Sequence, residues 1–508
     1  MHLYYENFLF ISIFFALLCG ILTTLIEDGR KSRKLTLFML AVCAILNGIV
    51  FVYTAAKGEY FTYAMGQFPA PWGNEVRTGP IESLLATVLC IVIGMSVLGG
   101  QRELDIDLLP EKANLYYIMM DLLTASTLAL CYTNDMFTGY VFIEIMTITA
   151  CSIVMAKDNG QTIVATVIYL ITSLVGSGLF LFGVAILYSI SGHLLMPNIL
   201  EKVTRMFNTG NFHYPLTVVA GMILVGLAIK SALFPFHTWL PTAHGSSTTS
   251  SSAVLSGVVL KGYIVLLIKV MCRVFTLDQI RTLGVGKILF VLGAAAMIYG
   301  SVRAVRENHS KRMIAYSSVA QVGYIYVGLG LCTTAGMAAA IFQILAHAVT
   351  KSLLFITTGG LIQTTEHHQK ALHDLRGAAR KRPMAGIGFT VGALSMVGLP
   401  LLAGFITKVT LGQASLETAV PKWEMIVSLT AIAISSLLNA WYFIQATVQI
   451  WKSEDPEGDP EAEVIHLHSV QPDKAFGFAV VCLCILNIIL GCFAQPLVRL
   501  LQQSVSLL

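Results

Sequence analysis

The chain has 508 residues, of which 56% are hydrophobic and only 12% are charged. Soluble domains carry about 25% charged residues, so this excess of apolar residues must face lipid. The net charge of +4 is small for this length, and we expect no nucleic-acid partner.

Apolar runs that are long enough to cross a bilayer, which takes about 20 residues, recur from end to end. The first run is longer than the core of a signal peptide and lacks a basic flank and a small-residue cleavage site. We therefore predict that it is a helix of the mature protein. The sequence predicts an all-α integral membrane protein with about fourteen spans, near residues 7–27, 35–55, 79–101, 113–133, 135–156, 161–190, 215–236, 248–271, 282–304, 312–332, 336–362, 383–413, 424–451 and 474–501.

Basic residues are concentrated in three of the predicted loops. With fourteen spans all three loops fall on one side, which the positive-inside rule makes cytoplasmic. Both termini are then predicted to face the outer side of the cytoplasmic (inner) membrane. The acidic, proline-bearing loop from Lys452 to Lys474 is predicted to face the cytoplasm. The three clusters are Arg30-Lys31-Ser32-Arg33-Lys34; Arg303, Arg306, Lys311 and Arg312; and Arg376, Arg380, Lys381 and Arg382.

Two predicted spans contain helix-breaking residues close to a lysine. Segment 234–236 (Phe-Pro-Phe) interrupts the seventh span near Lys230, and segment 398–400 (Gly-Leu-Pro) interrupts the twelfth near Lys408. Unwound backbone is tolerated inside a membrane where it lines a polar cavity. Broken helices at corresponding points of two halves are typical of inverted-repeat transporters. We predict an N-terminal three-helix unit, a first repeat, a second inverted repeat, and an acidic loop with the last helix, over residues 1–112, 113–271, 272–451 and 452–508.

Glu144 lies near the middle of the fifth span, and Lys230 is its expected partner from the seventh. A lone carboxylate in hydrocarbon must be protonated or paired with a cation. Separation of such a pair would favour release of the lysine proton, so the pair predicts proton handling. A static ion pair that fixes helix packing is the alternative.

Further ionisable residues continue this pattern: Lys261 in the eighth span, His347 and Lys351 in the eleventh, and Lys408 in the twelfth. His347 and Lys351 are four residues apart and share one helix face. Histidine suits a proton relay because its ordinary pKa is near 6.5. The alternatives are a hydrogen-bonded core histidine and, for Lys351, a side chain that reaches the cytoplasmic face. The predicted proton-translocating row is Glu144, Lys230, Lys261, His347 and Lys408.

Other polar residues are accessory candidates. His237 and His244 follow the break in the seventh span, where they could form an entry or gate or simply cap a helix end. Asp135 could cap the fifth helix, and Asp121 is a weaker candidate for the ion pathway. The hydroxyl run 246–252 could hydrate the mouth of the pathway.

No cofactor or metal is expected on this chain. The sequence contains no dinucleotide-binding glycine motif, P-loop, C-x-x-C or H-E-x-x-H. The ten cysteines are scattered, and the C-x-C at Cys482 and Cys484 has no second pair at ligand spacing. His367, His368 and His373 lack an acidic or cysteine framework for a metal.

Four motifs, in order along the chain, resemble one known family. They are KSALFPFHTWLPTAH from Lys230, KRMIAYSSVAQVG from Lys311, His347 with Lys351, and GFITK from Gly404 to Lys408. Their order and spacing are similar to those of the antiporter-like proton-translocating subunits of respiratory complex I, Mrp-type cation/proton antiporters and energy-converting membrane hydrogenases.

This resemblance implies fourteen helices with two inverted five-helix repeats. It also implies that Glu144 and Lys230 form a modulating ion pair, that Lys261 is a central bridge and that Lys408 serves an outward half-channel. The chain departs from the family at 246–252, where an Ala-Pro pair is usual, and at His309, where an acidic residue is common. The first departure puts the shape of the cytoplasmic entry in question.

The sequence thus predicts a proton-translocating subunit of a redox-driven complex, similar to complex I or a membrane hydrogenase. A subunit of an Mrp-type Na⁺/H⁺ antiporter without a redox module is the alternative. Expected partners are other membrane subunits, among them further antiporter-like subunits, a peripheral redox arm, the lipid bilayer, and protons or Na⁺. No long helix follows the last predicted span, which favours the medium-sized members of the family. A structural scaffold is a third hypothesis, and an enzyme with its own active site has no supporting constellation.

Overall fold

The computed structural model describes residues 2–68, 73–210, 212–365, 368–453, 470–471 and 473–508, and almost all of these residues are helical. Helices satisfy every backbone hydrogen bond internally, as a bilayer requires. A short antiparallel ribbon, β1 (Phe61–Ala64) with β2 (Glu75–Thr78), follows the second helix. The helices are α1 (His2–Thr24), α2 (Gly29–Lys57), α3 (Pro80–Asp107), α4 (Ala113–Tyr132), α5 (Met136–Val154), α6 (Gly160–Ser191), α7 (Met196–Asn208), α8 (His213–Lys230), α9 (Trp239–Ser246), α10 (Thr249–Val254), α11 (Leu260–Lys269), α12 (Leu277–Thr282), α13 (Val285–Val305), α14 (Ser310–Gly330), α15 (Thr334–Ile362), α16 (Ala378–Lys381), α17 (Pro383–Val397), α18 (Ala403–Ser415), α19 (Lys422–Trp451), α20 (Lys474–Cys492) and α21 (Ala494–Ser504).

The prediction of an all-α, multi-span membrane protein is confirmed. Within the described residues, 12 helical segments are long and apolar enough to cross a membrane. They match twelve of the fourteen predicted spans. The other two are α14, a 21-residue helix of more polar composition, and the pair α17–α18, which an interruption divides.

The helices differ sharply in how much protein surrounds them. The segment Thr249–Val274, which contains α10 and α11, and the long helix α15 are enclosed by protein on all sides. In contrast, α1, α2, α19 and α20 leave much of their apolar surface exposed, as helices in contact with lipid do. Two enclosed helices therefore form the centre of the molecule.

The first predicted break is present, although the helix ends earlier than the sequence suggested. The eighth helix stops at Lys230, and turns connect it to α9, which starts at Trp239. The predicted span ran on to residue 236. The chain leaves the helix sooner because Pro235 has no N–H to donate and Ala232 adopts a left-handed φ of 58°.

The second predicted break separates α17 from α18. Gly398 ends α17 with a φ of 94°, a conformation that favours glycine. Gly404, in the first turn of α18, packs directly against the Ser395 carbonyl group, and a Cβ atom at this position would lie 1.8 Å from its oxygen. The returning chain can approach α17 only because residue 404 has no side chain.

The predictions for the acidic loop and for the last span are considered next. The acidic stretch 454–469 lies outside the described residues. The last predicted span, 474–501, is present but ends earlier than predicted, because α20 ends at Cys492 and a separate helix, α21, begins at Ala494. The N–H group of Phe493 still bonds to the Ile489 carbonyl at 2.9 Å, so the interruption between the two helices is a single residue.

The close packing at Gly404 generates a stability prediction. Gly404→Ala should destabilise the folded protein by about 1–3 kcal/mol, because the added methyl group overlaps a backbone carbonyl that cannot easily move. Thermal unfolding of the purified protein in detergent measures this as a lower transition midpoint. Gly412→Ala in the same helix is the matched control, since its Cβ would meet nothing closer than 4.0 Å. Equal midpoints for the two variants would contradict the packing described here.

Candidate functional site

Two helices bring Glu144 and Lys230 together as the sequence predicts. The Lys230 ammonium lies 3.2 Å from Glu144 Oε1 and donates a hydrogen bond of 2.8 Å to Thr147 Oγ1. Lys230 is fully buried, whereas the Glu144 side chain is 24% exposed. Lys230 is also the last residue of α8, where the helix dipole favours a positive charge.

A chain of hydroxyl groups continues from this pair toward the centre. Thr147 Oγ1 lies 3.1 Å from the Tyr263 hydroxyl group, which lies 3.3 Å from the Tyr169 hydroxyl group. Tyr263 stands two residues after Lys261 on the enclosed helix α11. The sequence analysis missed Thr147, Tyr263 and Tyr169. Their signal was the presence of hydroxyl groups inside otherwise apolar spans.

Lys261 is fully buried and has no carboxylate within ion-pair distance among the described residues. Its ammonium donates to the carbonyl group of Ser256, which lies in the π-helical stretch Leu255–Val259 just before α11. Such π-helical turns occur frequently at functional sites. The Ser256 hydroxyl group in turn lies 3.0 Å from that of Ser318 in α14.

Two adjacent serines of α14 connect the two enclosed helices. Ser318 contacts Ser256 near Lys261, and Ser317 accepts a hydrogen bond from the Lys351 ammonium. Lys351 also donates to the Ile314 carbonyl at 3.1 Å and is fully buried. The structure therefore places the Lys351 ammonium in the interior and not at the cytoplasmic face.

A second polar link leads from α15 to the break between α17 and α18. The Thr350 hydroxyl accepts a hydrogen bond of 2.6 Å from Asn487, and Asn487 Oδ1 accepts one of 3.3 Å from the Ala403 N–H group. Lys408 lies across the same break and donates to the Val397 carbonyl at 2.5 Å. Polar groups thus run from Glu144 toward Lys408 through seven helices, α5, α8, α11, α14, α15, α20 and α18.

His347 and His244 are buried rings whose nitrogens make no hydrogen bond within the described residues. His347 lies within electrostatic range of Lys261, Lys351 and His244. The His244 ring stacks on Phe355 with centroids 4.5 Å apart. A buried polar atom without a partner costs about 1–3 kcal/mol, so these rings are not explained by core packing.

The remaining accessory candidates lie outside this row. His237 is buried between Phe234 and Tyr299, with ring centroids 5.6 and 4.9 Å away. Burial lowers the pKa of His237, which follows the end of α8, to about 4. Asp135 accepts a hydrogen bond of 2.7 Å from the Thr138 N–H group and caps α5, as the alternative interpretation held.

A charged cluster that the sequence analysis missed surrounds the start of α10. Glu103 accepts the N–H group of Thr249 at 3.2 Å and lies 3.4 Å from Lys311 and 3.7 Å from Lys157. Lys370 donates to the Gly245 carbonyl at 3.2 Å, and burial together with Lys311 lowers the pKa of Lys370 to about 8. The cluster fixes the segment between His244 and α10.

A second missed group lies at the opposite end of the same enclosed segment. Arg273 pairs with Glu82, and both side chains are almost fully buried. Lys269 donates to the carbonyl groups of Leu130 and Thr133 at 3.2 and 2.9 Å, at the C-terminal end of α4. These bonds explain why Lys269 is buried: its ammonium satisfies carbonyl groups at a helix end.

Two of the histidines that were considered as metal ligands have a clear outcome. His373 contacts Asp374, and His367 lies outside the described residues.

Comparison with known proteins decides the family. Residues 133–437 match the family model described as NADH:quinone oxidoreductase/Mrp antiporter, TM. The chain belongs to this family. The matched residues include every member of the row from Glu144 to Lys408, so the resemblance predicted from the motifs is confirmed.

Two named relatives align with most of this chain. It is 31% identical over 431 residues to NADH-quinone oxidoreductase subunit N of Desulforudis audaxviator (strain MP104C), which is 84% of this chain and 82% of that protein. It is 25% identical over 505 residues to the putative antiporter subunit mnhD2 of Staphylococcus aureus (strain MRSA252), covering 99% of this chain and 96% of that protein.

Solved structures share the fold. The archaeal membrane-bound sulfane sulfur reductase, a respiratory membrane complex, matches with a TM-score of 0.84 and 23% identity, covering 99% of this chain and 96% of that chain. The Mrp complex from Dietzia sp. DQ12-45-1b matches with a TM-score of 0.85 and 20% identity over 100% and 97% of the two chains. Respiratory complex I from Thermus thermophilus matches with a TM-score of 0.69 and 19% identity over 97% and 98%. These structural neighbours are multisubunit membrane complexes.

Proposed function

We propose that this chain is the proton-translocating, antiporter-like subunit of a redox-driven multisubunit membrane complex. The observation that carries the proposal is the series of ionisable groups from Glu144 to Lys408, of which Lys230, Lys261, His347 and Lys351 are fully buried, with hydroxyl groups in contact with three of these lysines or their neighbours. Cations buried in a membrane protein are costly, and they mark ion or proton pathways. A row built from lysines, histidine, serine and tyrosine donates and accepts protons, whereas it offers Na⁺ few anionic oxygens.

The mechanism rests on the Glu144–Lys230 pair. While the pair is closed, the carboxylate stabilises the charged lysine at 3.2 Å. If Lys230 turns away from Glu144, it loses this stabilisation in a low-dielectric interior and releases its proton more readily. Thr147, which bonds both Lys230 and Tyr263, provides the nearest hydroxyl path toward Lys261.

The centre of the row would pass protons between the two enclosed helices. Lys261 and Lys351 contact neighbouring serines of α14, and His347 lies within electrostatic range of both lysines. The unpartnered nitrogens of His347 and His244 are the kind of buried polar groups that internal water satisfies. Proton transfer along such a row needs water or hydroxyl groups between the titrating side chains.

We further propose the arrangement within the cell membrane. Residues 1–112 would form an N-terminal helical unit, 113–271 and 272–451 two inverted repeats of five helices, and 452–508 the acidic loop with the last helix. The breaks after Lys230 and Val397 support this pairing. The three basic loops support a location in the cytoplasmic membrane with both termini outside. Partners would be further antiporter-like subunits and a peripheral redox arm, with no cofactor on this chain.

A subunit of an Mrp-type Na⁺/H⁺ antiporter is the second candidate function. The similarity to the putative antiporter subunit mnhD2 over 99% of this chain favours it. The two candidates differ in whether a redox module accompanies the chain.

Purification of the tagged chain in mild detergent tests which complex contains it. We expect iron, with or without nickel, to co-purify in subunits identified by mass spectrometry. Nickel and iron together would indicate a hydrogenase-like complex, and iron alone a dehydrogenase of the complex I type. Small membrane partners without metal would contradict the redox-driven proposal and favour the Mrp-type antiporter. The same purification from cells that lack the tag is the control.

Lys230→Ala separates a pump from a scaffold. We expect the variant complex to assemble and to lose at least tenfold in proton-transport rate, because the charge that Glu144 modulates is gone. Transport is measured with a pH-sensitive dye in vesicles, and assembly by the yield of co-purified partners. Lys422→Ala, at the exposed start of α19, is the control. Lost assembly with unchanged transport per assembled complex would show that Lys230 is structural.

A further inference from the structure

Lys351 is a buried lysine whose charge no anion balances. It is fully buried in α15, and no carboxylate lies within ion-pair distance of its ammonium in the part of the chain that the structure describes. The groups within electrostatic range of Lys351 become positive on protonation, so they favour loss of its proton. They are Lys261 of α11, His244 of α9 and His347 of α15. Two lysines of helices that pack against α15, Lys311 of α14 and Lys408 of α18, are bonded to Glu103 and to the Val397 carbonyl group.

Neutral groups must therefore stabilise the charged form of Lys351. Its ammonium donates to the Ser317 hydroxyl group and, at 3.1 Å, to the Ile314 carbonyl group of α14. The Phe443 ring of α19 lies 5.7 Å away and makes a cation–π contact. Of these three groups only Ser317 can reverse its role, since a hydroxyl group donates as well as accepts. The direction of the Ser317 hydroxyl group thus decides whether the surroundings favour the charged or the neutral lysine.

Helix α19 fixes that direction. The Tyr442 hydroxyl group donates a hydrogen bond of 2.6 Å to Asn439 Oδ1, so its only hydrogen is committed. Tyr442 can then only accept from Ser317, to which it is hydrogen-bonded. Ser317 has one other acceptor, the Ile314 carbonyl group at 2.9 Å. With either acceptor, the Ser317 oxygen presents its lone pairs to Lys351.

Loss of either residue of α19 would favour the neutral lysine. Without the Tyr442 oxygen, the hydrogen of Ser317 competes with Lys351 for the Ile314 carbonyl group. Without Asn439, the Tyr442 hydrogen can turn to Ser317, and Ser317 can then donate to an uncharged Lys351. Ser317, Tyr442 and Asn439 are all buried, so bulk water does not replace a lost partner.

We propose that Asn439 and Tyr442 are positioning residues that present the Ser317 hydroxyl group to Lys351 as an acceptor and thereby retain the lysine proton. The inference rests on the proposed function and deepens it, because it names groups that decide when the row releases a proton. Neither residue belongs to the predicted row. It also gives a role to α19, whose other face is exposed as a lipid-facing helix is.

The pH dependence of proton transport tests the proposal. Initial rates in proteoliposomes should fall at alkaline pH as the lysines of the row lose their protons. We expect this fall to occur about 0.5–1 pH unit lower in Tyr442→Phe than in wild type, because Lys351 holds its proton less firmly. Asn439→Leu should shift the profile in the same direction, and it carries the test if Tyr442→Phe does not assemble.

Tyr132→Phe is the matched control for the transport profile. It removes an equally buried tyrosine hydroxyl group that donates to Asn47, and among the described residues this pair is not bonded to the row. Its profile should coincide with that of wild type. A merely structural tyrosine at 442 would lower the yield of assembled complex and leave the pH profile in place.

A second measurement does not depend on transport. Thermal unfolding midpoints are compared from mildly acidic to alkaline pH for wild type, Tyr442→Phe, Lys351→Met and the double variant. The bond to the charged lysine stabilises the fold while Lys351 keeps its proton, and this contribution is lost as the pH rises. Tyr442→Phe should therefore lower the midpoint more at acidic than at alkaline pH, and this pH dependence should disappear in the Lys351→Met background.

The outcomes separate this inference from the proposed function. Coincident pH profiles for wild type and Tyr442→Phe, or a destabilisation by Tyr442→Phe that does not vary with pH, would overturn the role of Tyr442. A wild-type complex that moves no protons would overturn the proposed function, and the unfolding series would still decide whether Tyr442 retains the proton of Lys351.

Discussion

The cost of burying a charge in a low-dielectric interior is the constraint on which this structure depends. Lys261, His347 and Lys351 all lie on the two helical segments that protein encloses completely. The structure offsets part of this cost with carbonyl groups, serines and a π-helical turn. Among the residues that the structure describes, the His347 nitrogens have no hydrogen-bond partner. A membrane scaffold could fill the same volume with apolar side chains at lower cost. We therefore attribute the buried charges to the proposed transfer of protons and not to helix packing.

The other features of the fold follow from this centre. Two helical spans are interrupted close to a lysine: α8 ends at Lys230, which bonds Glu144 and Thr147, and Lys408 bonds the Val397 carbonyl group at the end of α17. The interruptions are stabilised by a left-handed residue at 232 and by glycines at 398 and 404, which have no side chain to clash. Charged groups at the two ends of the segment Thr249–Val274, around Glu103 and around Glu82, hold it in position. These contacts are consistent with the proposal that the segment between them carries protons.

Sequence patterns predicted the spans, both breaks and the pairing of Glu144 with Lys230, because hydropathy, proline and buried charge are local signals. They did not reveal the partners that connect the row. Ser317, Ser318 and Asn487 are ordinary polar residues in sequence. Only the packing of α14 and α20 against their neighbours brings Ser317 to Lys351, Ser318 to Ser256 and Asn487 to Thr350. The helix ends also moved: α8 stops at Lys230 and α20 at Cys492, since tertiary contacts decide where a helix terminates. Arg273 and Glu82 pair across 191 residues, a separation that no periodicity in one sequence discloses.

The most direct test compares two lysines of the same helix, Lys261 and Lys269, each changed to methionine. Both are fully buried, but Lys261 belongs to the row whereas Lys269 bonds the end of α4. The measurement is the proton-transport rate per assembled complex in proteoliposomes. We expect Lys261→Met to abolish transport in a complex that still assembles, and Lys269→Met to lower the yield while each assembled complex transports normally. Normal transport by Lys261→Met would contradict the central claim that the buried row carries protons.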